Sequence, residues 1–223
     1  SAIYSSVNVS LTVADLLAPK YSSNSSSPSS PAAYLKDRNY EFSATWTDNI
    51  VVSTVLMEHN FTGTSTNYTT TQSTNTYNYT YRDLPVGFYV WRMYANDTNN
   101  TFNSTDQFQL NITKANNEVN IYFDGVKNQN LQVTNSSALN VTATASTGTV
   151  YIYRDNNLAV SGTTPQTSSA TLAAASYTYK ANATGNANFS DNSTGVSQIA
   201  TVTAPAPQWS SNTTSFPSGY TNG

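Results

Sequence analysis

The 223 residues include no cysteine, which excludes disulfides and the thiolate metal sites that paired cysteines announce. Stability must therefore come from packing. Charge is scarce as well: Asp, Glu, Lys and Arg make up 9% of the chain, against roughly 25% in ordinary soluble domains. The nine Lys and Arg are scattered singly, so there is no basic patch for a nucleic acid. One histidine, His59, and three glutamates, Glu41, Glu58 and Glu118, are all the chain offers of those types. No apolar run approaches the ~20 residues of a membrane helix, and no stretch holds helical apolar spacing for three turns. The opening SAIYSSVNVS lacks the basic and apolar regions of a secretory signal, so the chain reads as a mature, processed product.

What is present is alternation. Apolar residues recur every second position in VNVSLTV (7–13), YEFSATWT (40–47), VVSTVLMEH (51–59), TYNYTYRDL (76–84), GFYVWRMYA (87–95) and DQFQLNIT (106–113). The second half offers eight further segments, from EVNIYFD (118–124) to VSQIATVT (196–203). Period two with Gly, Asn, Asp and Pro between the segments predicts an all-β protein of sandwich type. The expected organisation is an N-terminal strand and Ser/Pro linker over 1–31, one domain over 32–115, a second over 116–203, and an extended tail over 204–223.

The two halves repeat each other, which fixes a register. LPVGFYVWRMYANDT places Leu84, Tyr89, Trp91 and Arg92 at offsets 0, 5, 7 and 8, and LAAASYTYKANAT places Leu172, Tyr177, Tyr179 and Lys180 identically. The leucines stand 88 residues apart, the length of one immunoglobulin-like (Ig-like) sandwich. Gly87 is expected to allow a tight turn and Tyr89 to form a tyrosine corner, although the second copy has Ala175 where the first has Gly87. With FSATWTDN (42–49) and TGNANFS (184–190), these motifs resemble the Ig-like repeats of microbial, especially archaeal, cell-surface glycoproteins. The resemblance covers about 32–203 and implies two tandem Ig-like sandwiches, Trp46 buried between sheets, and extracellular scaffolding.

Fifteen Asn-x-Ser/Thr sequons occur: Asn8, Asn24, Asn60, Asn67, Asn78, Asn96, Asn99, Asn103, Asn111, Asn135, Asn140, Asn182, Asn188, Asn192 and Asn212. With 28 Asn and 64 Ser plus Thr, independent placement predicts about eight. The excess points to covalent N-linked glycans on a chain that leaves the cytoplasm. Turn-forming composition is the rival explanation.

Chemistry is thin by comparison. His59 beside Glu58 lacks any nucleophile motif and reads as a half-exposed strand-end residue. Glu41 and Glu58 could face each other on adjacent strands, but as an exposed polar pair rather than a glycosidase dyad. Asp97, Asn99, Asn103 and Asp106 could supply oxygens to a calcium ion, yet lack the twelve-residue loop spacing and read as a glycosylated turn. Tyr77, Tyr79 and Tyr81 read as inward packing, with a sugar-stacking face the alternative. The expectation is no catalytic residue, no metal and no cofactor beyond the glycans.

In VNVSLTV, Val7, Val9, Leu11 and Val13 lie on one face, and such a strand needs a sheet. It could complete its own first domain, which shows only about five strands, or cross into another copy by β-strand addition. Head-to-tail contacts of that kind propagate into a filament. A C-terminal arm with Trp209 and Phe216 is the rival. The sequence therefore predicts a homopolymeric, extracellular, glycosylated structural subunit; the alternative is a monomeric adhesin stalk or carbohydrate-binding module.

Overall fold

The computed structural model describes residues 15–134 and 138–207; Val7, Val9, Leu11, Val13, Asn8, Asn135, Asn212, Trp209 and Phe216 lie outside them. The described residues form strands and no helix, so no helix is long and apolar enough to cross a membrane. They divide into a first unit of 15–116 with 185–190, and a second of 117–184 with 191–207.

In the first unit the strands are β1 (Lys20–Ser27), β2 (Ala32–Ala33), β3 (Asn39–Thr47), β4 (Val52–His59), β5 (Thr66–Thr69), β6 (Thr71–Ser73), β7 (Thr76–Arg82), β8 (Gly87–Asp97), β9 (Phe102–Ser104) and β10 (Phe108–Thr113). One sheet runs β1-β3-β7-β6 and the other β2-β10-β8-β4-β5, with β9 also on β8. Pairs are antiparallel except β2, which runs parallel to β10. The two sheets bury alternate residues against each other: Tyr40, Phe42, Ala44 and Trp46 from β3 meet Trp91, Met93 and Ala95 from β8. Trp46 is 1% exposed, the inter-sheet position expected of it.

The second unit has β11 (Val119–Phe123), β12 (Val126–Lys127), β13 (Leu131–Thr134), β14 (Leu139–Ala145), β15 (Thr149–Arg154), β16 (Asn157–Thr163), β17 (Gln166–Ala170), β18 (Ala175–Ala183) and β19 (Asn192–Thr203). Its sheets run β12-β11-β14-β17 and β13-β19-β18-β15-β16, with β13 parallel to β19. The plan repeats that of the first unit. An antiparallel set faces a second sheet closed by a short parallel strand, and each unit is an Ig-like β-sandwich.

The internal repeat marks the same corner in both units. Leu84 and Leu172 are buried, as are Trp91 and Tyr179. The Tyr89 hydroxyl donates to the Pro85 carbonyl at 3.0 Å, and Tyr177 donates to Ala173 at 3.1 Å, so both are tyrosine corners. The reason expected for Gly87 needs correction. Its φ is not positive; a methyl there would instead meet the Tyr89 hydroxyl at 2.8 Å. Glycine makes room for the ring rather than for a turn, whereas the second copy forms the same corner with Ala175 in place.

Two boundaries differ from expectation. Lys20–Ser27, read as linker, is a strand with six residue pairs to β3. Serines hide its alternation, since only Tyr21 supplies an apolar side chain; the ring packs 5.6 Å from Trp46 and the hydroxyl donates to Asp106 at 3.1 Å. A register shift between Ser22 and Ser25, with Ser23 at φ 51°, marks a bulge. Gly185–Ser190, expected in the second domain, belongs to the first unit. There Asn188 Oδ1 accepts from Val86 N–H at 3.0 Å, and Phe189 packs edge-on to Tyr34.

Candidate functional site

Strand geometry separates Glu58 from His59, because neighbours on a strand point to opposite faces. Glu58 faces outward across β8. Its Oε2 accepts from Arg92 Nε at 3.1 Å, Arg92 Nη2 at 3.0 Å and the Tyr94 hydroxyl at 2.7 Å. The Tyr94 hydrogen bond, with the Arg92 guanidinium adding to it, holds the Glu58 carboxyl below its ordinary range. Glu41 lies on β3 in the opposite sheet, so the facing carboxylate pair expected on adjacent strands does not form.

His59 faces inward and is 1% exposed, not half-exposed as the sequence suggested. Its ring stacks between Phe61, at 4.0 Å, and Tyr68, at 4.2 Å. Nδ1 accepts from Phe61 N–H at 3.2 Å, so the proton sits on Nε2, which lies 3.0 Å from the Tyr79 hydroxyl. Burial lowers its pKa to about 4. Tyr77 is buried, and Tyr79 and Tyr81 pack against the same core, so this run faces the interior rather than forming a flat sugar-stacking surface.

The four residues weighed as possible calcium ligands each have other partners. Asn99 N–H donates to Asp97, Asn103 Nδ2 donates to Pro19 O at 2.7 Å, and Asp106 accepts from Tyr21. A different acidic group forms at this end of the first unit. Asp15 precedes β1, Asp48 follows β3, and Asp97 ends β8; each brings a carboxylate oxygen within 4.8 Å of those of the other two. Sequence reading missed it because the three are far apart in the chain, each beside an unremarkable turn.

The sequons sort by what their amides do. Asn24, Asn67, Asn99 and Asn140 are exposed. Asn60, Asn78, Asn96, Asn111, Asn182 and Asn188 are half-buried, and Asn60 uses Oδ1 to accept from Val90 N–H at 2.9 Å. Asn103 and Asn192 are half-buried with Nδ2, the atom a glycan would join, donating to main-chain carbonyls of Pro19 and Asn117.

No family model matches the chain. No curated protein matches it. Among solved structures it is similar to fibronectin(III)-like modules of Clostridium thermocellum CbhA, at 16% identity over 82% of this chain and 95% of that one, with a TM-score of 0.32. It is also similar to a set of titin domains, at 9% identity over 84% and 66%, with a TM-score of 0.47. Dimeric latent PorU from Porphyromonas gingivalis shares 12% identity over 83% of this chain and 20% of that one, with a TM-score of 0.34.

Proposed function

We propose that this chain is a non-enzymatic structural subunit of an extracellular, N-glycosylated filament or surface layer, joined to other copies of itself by β-strand addition through Val7, Val9, Leu11 and Val13. The observation that carries this reading is β1. The first-strand place beside β3, which 7–13 would need in order to complete its own domain, is taken by Lys20–Ser27. On this reading residues 7–13 seek a different sheet, because an apolar strand face requires a partner.

A receiving edge is available in the second unit. Among the described residues β17 is bordered by β14 alone, whereas its counterpart β7 in the first unit has β3 on one side and β6 on the other. The outer edge of β17 in a second copy is the acceptor we favour, with main-chain hydrogen bonds giving affinity and alternate side chains giving register. Glycans on exposed asparagines would hydrate a surface poor in charge and mask other strand edges.

Electron microscopy of natively purified protein, with and without residues 1–14, tests the proposal. Fibres from the full chain and folded single particles from the truncated one are the expected result. Single particles from both would overturn it and favour an adhesin or binding module, although the inward-facing tyrosines remove that reading's proposed sugar platform.

A further inference from the structure

We propose that Asp15, Asp48 and Asp97 form a binding site for a calcium-sized divalent cation, independently of how the chain assembles. The acidic cluster is the first observation, and the state of its oxygens is the second. Asp15 Oδ1 accepts from Leu17 N–H at 3.0 Å, and Asp48 Oδ1 accepts from Ile50 N–H at 3.0 Å. Asp15 Oδ2 and Asp48 Oδ2 are shut off from solvent and have no hydrogen-bond partner among the described residues. A buried ionised oxygen without a donor is costly unless a cation meets it.

The third carboxylate is held in position by donors. Asp97 is 1% exposed, and it accepts hydrogen bonds from the Thr101 hydroxyl and from the Thr101 and Asn99 N–H groups. No Lys or Arg among the described residues forms an ion pair with any of the three. Lys20 is the nearby cation. It lines, with Leu17, Ala18, Thr47, Asp48 and Asn49, an adjoining cavity of about 140 Å³, without closing on the carboxylates.

Donor chemistry and spacing select the ion. Carboxylate oxygens with no nitrogen or sulfur ligand suit a hard cation. Three carboxylate oxygens within 4.8 Å of one another can share one ion, and calcium accepts an irregular oxygen shell where magnesium demands a near-ideal octahedron and dehydrates reluctantly. Bound there, the ion would tie the segment before β1 to the β3–β4 and β8–β9 turns, replacing mutual repulsion of three charges by attraction to one centre.

The test is thermal unfolding of chelator-treated full-length protein in Ca²⁺, in Mg²⁺ and in chelator, alongside Asp15→Asn and Asp48→Asn, with Tb³⁺ luminescence sensitised by Trp46 as a direct readout. Both variants keep the Oδ1 that accepts the local amide. The expected result is a rise of several degrees in millimolar Ca²⁺ and a clearly smaller one in Mg²⁺. In both variants the Ca²⁺ shift and the Tb³⁺ signal should disappear, while stability in chelator is unchanged or higher because one like charge has gone. No Ca²⁺ shift in the parent, an equal Mg²⁺ shift, or a Ca²⁺ shift that survives in both variants would overturn the site. Variants that are less stable in chelator would assign the aspartates a purely structural role and would also overturn it.

Discussion

His59 Nε2 lies 3.0 Å from the Tyr79 hydroxyl in the interior of the first sandwich, linking β4 to β7 across the two sheets. The surroundings keep the imidazole neutral. Burial lowers the pKa from 6.5 to about 4, and above 6.5 the ring is neutral both folded and unfolded. Between those values the unfolded chain takes the proton first, so stability falls with pH by about 3 kcal/mol, then levels off once both states are protonated. Urea unfolding between pH 8 and 4 should show this slope in the parent and lose it in His59→Phe. A slope persisting in the variant would assign it to another group. Glu58 and Asp97 act lower: their depressed pKa values contribute stability that is lost only as pH falls below the ordinary carboxylate range.

Two tyrosines of the first core should respond oppositely to loss of a hydroxyl. Tyr40 is 0% exposed and its hydroxyl has no partner among the described residues. Tyr40→Phe keeps the ring and removes a desolvated polar atom, so a stability gain of about 1 kcal/mol is expected. Tyr79→Phe breaks the contact to His59 and should lose about 1 kcal/mol. Chemical denaturation measures both, and equal losses would contradict the account.

The tyrosine corners offer a matched pair. Tyr89→Phe and Tyr177→Phe each delete one hydroxyl donated to the carbonyl four residues back. Each should destabilise its own unit by about 1 kcal/mol, read as a shift of several degrees for a domain of roughly 100 residues. A neutral result at both corners would leave the repeated tyrosine to ring packing alone.

Sequon occupancy should follow amide chemistry. Mass spectrometric mapping of native protein is expected to find glycan on exposed Asn24, Asn67, Asn99 and Asn140, and none on Asn103 or Asn192. At the latter two, Nδ2 lies 2.7 and 2.8 Å from a carbonyl oxygen in half-buried surroundings. A sugar there would have to displace that contact or find room beside it. Full occupancy of Asn192 would show that accessibility does not govern modification.

Much of this was readable in the chain because period-two alternation survives wherever a strand carries its own apolar residues. YEFSATWT became β3 and GFYVWRMYA became β8 with the buried set that alternation assigned. β1 escaped because KYSSNSSS has little to bury; its partner β3 supplies the pairing edge and most of the apolar surface. The acidic cluster escaped for a related reason. Asp15, Asp48 and Asp97 meet only when the ends of β3 and β8 and the approach to β1 are brought together, while Asp97, Asn99, Asn103 and Asp106 are close in sequence but engage different partners.

The role of β1 bears directly on residues 7–13. If Lys20–Ser27 is the first unit's own first strand, removing 1–14 should change its stability by less than about 1 kcal/mol, as for a change away from the core. Removing 1–27 should be far worse. It strips six residue pairs from β3, the Tyr21 ring from Trp46 and the hydroxyl bond to Asp106, leaving a buried tryptophan beside an open edge, at a cost of roughly 3–5 kcal/mol, comparable to truncating a large core side chain. Tyr21→Ala should fall between the two deletions. Equilibrium unfolding of the series separates the readings: if deleting 1–14 is as damaging as deleting 1–27, Val7, Val9, Leu11 and Val13 serve their own sandwich. If the damage begins only when β1 goes, those four residues are free to fill a neighbour's sheet.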